Sequence, residues 1–231
     1  MGRYVNLAAL KTVAEALAQL RQKVVFVGGS VVELYCDDPA RGEARPTDDI
    51  DVVVEILSRG SHADLEYELR QIGFRHDIES GINCRFKYND IIVDIMPTDA
   101  QILGFTNRWY KAGINNTIPA FLEEKVVIEI FSAPYFLASK TEALKSERHG
   151  ADFRFNSDFE DIVYIFDNCT TIVQDIFQAN NEVQSYLINE ITQLLKRPFI
   201  EEEVVANLGF SNTNKRSKRI IENWEKIIQP Y

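Results

Sequence analysis

The chain has 231 residues (26.5 kDa), 45% of them hydrophobic and 26% charged, and 35 acidic against 25 basic residues leave a net charge of −10. That length accommodates one large domain, or a core domain with a small appendage, and the negative surface disfavours a protein that scans duplex DNA, although a local basic patch can still dock RNA. Three scattered cysteines (Cys36, Cys84, Cys169) and three scattered histidines lack the spacing of a disulfide framework or a zinc site, no apolar run reaches a membrane span, and MGRYVNLAALK has no signal-peptide core; the expectation is a cytoplasmic protein, off the membrane, whose chemistry rests on carboxylates.

Leu7, Leu10, Val13, Leu17 and Leu20 recur at three- and four-residue steps and predict an amphipathic helix over 6–21, with Asn6 placed to cap it. Val24 to Val27 reads as a short buried strand that turns through Gly28-Gly29-Ser30 into a short helix ending near Cys36. The polar, breaker-rich stretch DDPARGEARPTDD then reads as a loop. Ile50, Val52 and Val54 alternate with Asp49, Asp51 and Val53, a strand carrying two carboxylates on one face. A helix opens at Ser61-x-x-Asp64 and closes at Gly73, and two strands, Cys84–Tyr88 and Ile91–Met96, flank the hairpin signal Asn89-Asp90. Residues 99–120 show no clear period, and Glu124–Phe131 reads as a further strand.

From residue 132 the pattern is helical throughout, with helices expected at 132–148, 157–168 behind the capping box Ser157-x-x-Glu160, 170–178, 181–196, 200–208 and 213–228. Strands and helices mix in the first half and helices fill the second. The expected fold is therefore α+β, a small mixed β-sheet core over 1–131 with flanking helices, followed by a helical region over 132–231.

Three features in chain order carry chemistry. Asp49 and Asp51 lie side by side on a strand, and two anions about 4 Å apart at an effective dielectric near 20 repel by about 4 kcal/mol, so such a pair calls for a cation. Oxygen-only ligands select Mg²⁺, with Mn²⁺ as the alternative. Asp94, alone in the apolar strand IIVDIM, fits a neighbouring strand where it completes the cluster. Three carboxylates holding two divalent ions is the arrangement for in-line phosphoryl or nucleotidyl transfer. Gly28, Gly29 and Ser30 lie at a strand-to-helix turn, where backbone N–H groups and a hydroxyl reach phosphate oxygens. Taken singly, each feature also fits a bland role: a ligand-free tight turn, a solvated strand face, an edge residue. Their order makes the combination specific.

The residues FVGGS, DDIDVVV and IIVDIM together resemble the polymerase-β-like nucleotidyltransferase superfamily, most strongly over residues 22–98. The resemblance implies Mg²⁺-dependent transfer of a nucleoside monophosphate from an NTP such as ATP, with Gly29 and Ser30 on the phosphates. It implies Asp49 and Asp51 as ligands of both metals, and Asp94 as a ligand of the catalytic metal that helps deprotonate the acceptor hydroxyl. Eighteen residues (31–48) separate Ser30 from Asp49, more than is usual in that family, and the surplus falls in the breaker-rich loop. Downstream, PYFLASKTEAL, an Arg and SDFEDIVYIF look like the later motifs of the AbiEii-type nucleotidyltransferases, the toxin halves of certain toxin–antitoxin systems. That adds Lys140, Arg148, Asp158 and Asp161 to the nucleotide-binding set, although a snorkelling lysine and dipole-favoured acids at a helix start explain the same positions. The acceptor expected from this likeness is RNA, such as a tRNA 3′ end, or a protein, with an antitoxin as partner. A small aminoglycoside-like acceptor, or a nucleotide-binding module without turnover, are the competing readings. Lys215, Arg216, Lys218 and Arg219 form a basic cluster that fits RNA phosphates or a solvated helix face.

Overall fold

The computed structural model describes residues 2–18, 20, 24–39, 42–55, 59–104, 106–123, 125–146, 150–209 and 213–229. The chain divides into two compact units, Met1–Val31 with Arg45–Ser132, and Val32–Ala44 with Ala133–Tyr231. Their elements give the α+β class expected from the sequence.

The first unit is built on one seven-stranded mixed sheet. Its elements are α1 (Gly2–Ala16), β1 (Val24–Val27), β2 (Asp49–Val54), α2 (Arg59–Gln71), β3 (Arg75–His76), β4 (Arg85–Tyr88), β5 (Ile91–Pro97), α3 (Ala100–Leu103), α4 (Tyr110–Gly113), β6 (Thr117–Glu123) and β7 (Val126–Phe131). The strand order is β3-β4-β5-β2-β1-β7-β6. β2 runs parallel to β5 and antiparallel to β1, β1 runs parallel to β7, and β4–β5 and β6–β7 are antiparallel hairpins. β1 is buried along its whole length, as are the last five residues of β5, which is why both read as unbroken apolar runs.

α1 packs on β2, β6 and β7, and Leu10, Val13 and Leu17 are fully buried. The helix ends at Ala16 rather than at residue 21. Leu17 and Leu20 continue the apolar spacing through a turn, with Leu17 N–H donating to Val13 O (2.9 Å) and Leu20 N–H to Leu17 O (2.7 Å), so burial there is bought by the turn, not by more helix. The stretch without clear period holds two one-turn helices, the first capped by Asp99 and closed at Gly104, and then β6. β6 is an edge strand, so Pro119 is tolerated and Phe121 stays exposed.

The second unit holds α5 (Ala133–Ala143), α6 (Ser157–Asn168), α7 (Ile172–Gln178), α8 (Asn181–Leu195), α9 (Ile200–Ala206) and α10 (Thr213–Ile228). These follow the predicted helices with shifts at their ends. The cap of α6 is Asn156, whose Oδ1 accepts from the N–H groups of Asp158 (2.9 Å) and Phe159 (3.1 Å), one residue ahead of the expected Ser157. Ile220, Trp224 and Ile227 form the wholly buried stripe of α10, and Trp224 meets Phe159 and Phe166 edge-on. The breaker-rich stretch belongs to this unit in part: Tyr35 packs on Phe136, Asp37 accepts from Thr170 N–H (2.8 Å) and Oγ1 (2.6 Å), and Tyr164 donates to Gly42 O (2.7 Å).

The basic cluster of α10 is divided in its roles. Arg216 and Arg219 both bond to the buried Asp167 of α6, with Arg216 Nε 3.0 Å from Oδ2 and Arg219 Nη2 2.9 Å from Oδ1. They tie α10 to α6, while Lys215, Lys218 and about half of the Arg219 side chain face solvent. Among the described residues no helix is long and apolar enough to cross a membrane.

Candidate active site

The site is assembled on the carboxyl side of β1 and along β2 and β5. Asp49 and Asp51 share one face of β2 because strand side chains alternate. The parallel pairing of β2 with β5 places Asp51 directly across from Asp94, and residues opposite each other in a ladder project to the same face. All three aspartates therefore stand on one side of the sheet. Asp94 is buried, and Asp49 and Asp51 are partly exposed.

Two groups missing from the sequence-based set complete the cluster. Arg85 lies opposite Asp94 on β4. Its guanidinium grips Asp94 with two bonds, Nε to Oδ1 at 2.8 Å and Nη2 to Oδ2 at 2.7 Å, and reaches Asp49 Oδ2 at 3.2 Å. Arg45 arrives from the long loop. Asn6, buried in α1, donates to Arg45 O (3.0 Å) and accepts from Thr47 N–H (3.1 Å), which pins this segment as it enters β2.

The glycine turn fits tightly against both partners. Gly28 has φ +73°, and a Cβ added there would lie 1.9 Å from Asp51 Oδ2; at Gly29 it would lie 2.5 Å from Arg45 Nη2. The turn is glycine because the carboxylate of Asp51 and the guanidinium of Arg45 occupy the space where side chains would be. Gly28→Ala is expected to lose transfer activity and melt at lower temperature. The left-handed backbone alone costs an L residue about 1–2 kcal/mol, and Asp51 must move to admit the methyl; thermal melts and a labelled-NTP assay check both effects. Ser30 Oγ is fully buried and, among the described residues, has no hydrogen-bond partner. An orphaned hydroxyl of this kind calls for a ligand or water, and the residue suits a phosphate oxygen.

Burial first, and the adjacent Asp94 charge second, raise the Asp49 carboxyl above its ordinary range, with Arg85 offsetting part of the rise. A carboxyl raised in the folded state contributes stability below the ordinary aspartate range, and that contribution is lost as pH climbs through the raised value. Asp49→Asn is therefore expected to melt at higher temperature than the parent near pH 7, with the gap closing below about pH 4; melting curves across that range check it. Cys84, beside Asp94, is pushed up to about 11 by burial and by that charge, so its thiol stays protonated.

The donor set is hard and all-oxygen, and its charges are crowded, which is the chemistry of a Mg²⁺ or Mn²⁺ site. Among the described residues, however, no three His, Cys, Asp or Glu side chains converge closely enough to hold one ion together. What Asp49 and Asp94 share is the guanidinium of Arg85.

In the second unit, Lys140 Nζ lies 2.8 Å from Asp158 Oδ1 and 2.7 Å from Asp161 Oδ2, so three of the four downstream residues come together. Burial pulls the Lys140 ammonium down, and Asp161 and Asp158 together more than offset it, holding its pKa above the ordinary lysine value. Arg148 lies outside the described residues.

No protein-family model and no curated protein sequence matches this chain. Among solved structures, an antigenic nucleotidyltransferase-like protein from Paracoccidioides brasiliensis is similar, with a TM-score of 0.53 and 16% identity over 90% of this chain and 96% of that one. At that identity the likeness is one of fold: this chain shares the fold of a nucleotidyltransferase-like protein over nearly the full length of both.

Proposed function

We propose that the chain is a divalent-cation-dependent nucleotidyltransferase. The observation that carries this reading is the placement of Asp49, Asp51 and Asp94 on one sheet face beside the Gly28-Gly29-Ser30 turn. The fold shared with a nucleotidyltransferase-like protein supports it. An acceptor hydroxyl attacks the α-phosphorus of an NTP, the new O–P bond forms as the bond to the β-phosphate oxygen breaks, and pyrophosphate leaves. Asp49, Asp51 and Asp94 would hold the divalent ions, Mg²⁺ or Mn²⁺, which would neutralise triphosphate charge and acidify the attacking hydroxyl. The chain's own contribution is positioning and fixed charge. The turn and Ser30 Oγ receive phosphate oxygens, Arg45 places a guanidinium beside them, and Asp94 takes part in accepting the hydroxyl proton.

The toxin-like acceptor, RNA such as a tRNA 3′ end or a protein, with an antitoxin partner, rests on the downstream motifs around Lys140, Asp158 and Asp161. The basic cluster supports it less than its sequence suggests, because Arg216 and Arg219 are committed to Asp167. The net charge of −10 favours the small cationic, aminoglycoside-like acceptor. Incubating the protein with each labelled NTP and separate RNA, protein and small-molecule pools identifies the acceptor by the fraction that takes up label. Growth arrest on expression, relieved by a neighbouring gene product, supports the toxin-like arm. A second reading, a nucleotide-binding module without turnover, is favoured by Arg85, which already neutralises part of the cluster. Binding of NTP without label transfer to any pool supports that reading.

A further inference from the structure

We infer that Arg85 is a built-in counter-cation that competes with divalent metal for Asp94 and Asp49 and must let go of them before the site can be loaded. The inference rests on the nucleotidyltransferase reading of the aspartate cluster. Arg85 is held in place by the sheet itself, opposite Asp94 on β4, with a side chain only 19% exposed. Its fork engages both oxygens of Asp94 and one of Asp49. A planar guanidinium pairing both oxygens of a carboxylate is among the strongest charge-assisted arrangements a side chain makes. A small dication on the same oxygens would sit within a few ångströms of that positive charge, so the two occupants exclude each other. Arg85 bridges two of the three carboxylates, and its displacement leaves both with their charge to offer a dication.

Displacement needs a second home for the guanidinium. The same five-donor fork that fits a carboxylate fits a phosphate, so an incoming triphosphate can accept Arg85 as metal takes Asp94. Arg85 thus acts as a positioning residue that couples the entry of anion and cation, keeping the carboxylates paired when no nucleotide is present.

Mn²⁺ binding to the nucleotide-free protein, followed by electron paramagnetic resonance of the free ion and by calorimetry, tests this without any turnover assay. Arg85→Gln is expected to bind Mn²⁺ at least about tenfold more tightly than the parent, and Arg85→Lys, which keeps the charge but loses the fork, to lie between them. The gain disappears when Asp94→Asn is added. Added Mg²⁺ is also expected to raise the melting temperature of Arg85→Gln more than that of the parent. If Arg85→Gln fails to fold, Arg85→Lys carries the same test with the same sign. Equal or weaker Mn²⁺ binding by the variants, with an Asp51-dependent site still present in the parent, overturns the role of Arg85 and leaves the metal-dependent reading standing. No Mn²⁺ site in parent or variants overturns both.

Discussion

Asp51→Asn is expected to abolish nucleotidyl transfer, by at least about a thousandfold, while the protein keeps its fold. A thousandfold corresponds to about 4 kcal/mol of lost transition-state stabilisation, the scale on which a bound metal stabilises developing charge. The substitution is nearly isosteric, so the close fit of the side chain against Gly28 survives. What changes is the charge and one of two carboxylate oxygens. Asp51 faces Asp94 in register, so it is the aspartate best placed to share ions with both of the others. Circular dichroism and thermal melts establish that the fold is retained, and initial rates with labelled NTP measure the loss. Near-normal metal-dependent rates in Asp51→Asn would remove the aspartate cluster from the chemistry.

The site was legible in the sequence to the extent that it is local. A period of two is enough to put Asp49 and Asp51 on one face, and an apolar strand interrupted by one acid is enough to single out Asp94. Arg85, too, has a signal in the sequence. The hairpin is closed by Asn89-Asp90, with Asn89 at φ 53°; counting inward from that two-residue turn pairs Tyr88 with Ile91 and, three steps on, Arg85 with Asp94. Turn length had fixed the register, and with it the partner of Asp94. Arg45 carried no such signal, because it lies in an aperiodic loop whose position depends on Asn6, 39 residues earlier.

The same limit applies to the second unit. Helix spacing marks Arg216 and Arg219 as a basic face, but their partner, Asp167, lies on another helix 49 and 52 residues away. Only packing reveals that both arginines are tied to Asp167. β6 is silent in the sequence for a different reason: an edge strand with Pro119 and an exposed Phe121 lacks the clean alternation of a half-buried one. Helix ends moved by a few residues, as at α5, which stops at Ala143 rather than near 148, because end positions depend on caps rather than on the apolar period.

Lys140→Met is expected to cost the protein about 3–5 kcal/mol, the range for removing one partner of a buried ion pair. The substitution keeps the length and apolar stem of the side chain, so the loss is electrostatic and includes the ammonium's place over the Phe136 ring, 5.7 Å from its centroid. Lys140 and Asp161 are buried and Asp158 is largely so. With the ammonium gone, two carboxylates three residues apart on the first turns of α6 lose the counter-charge they share. At about 2–4 °C per kcal/mol for a chain of this size, the melting temperature is expected to fall by roughly 10 °C. This stability loss separates two roles for the residue. A lysine whose purpose is to contact a nucleotide would, when replaced, lose transfer with an unchanged melt. A lysine that neutralises α6 loses stability first, and adding Asp161→Asn to Lys140→Met is then expected to recover part of it, because one of the two carboxylates that faced the ammonium is then neutral.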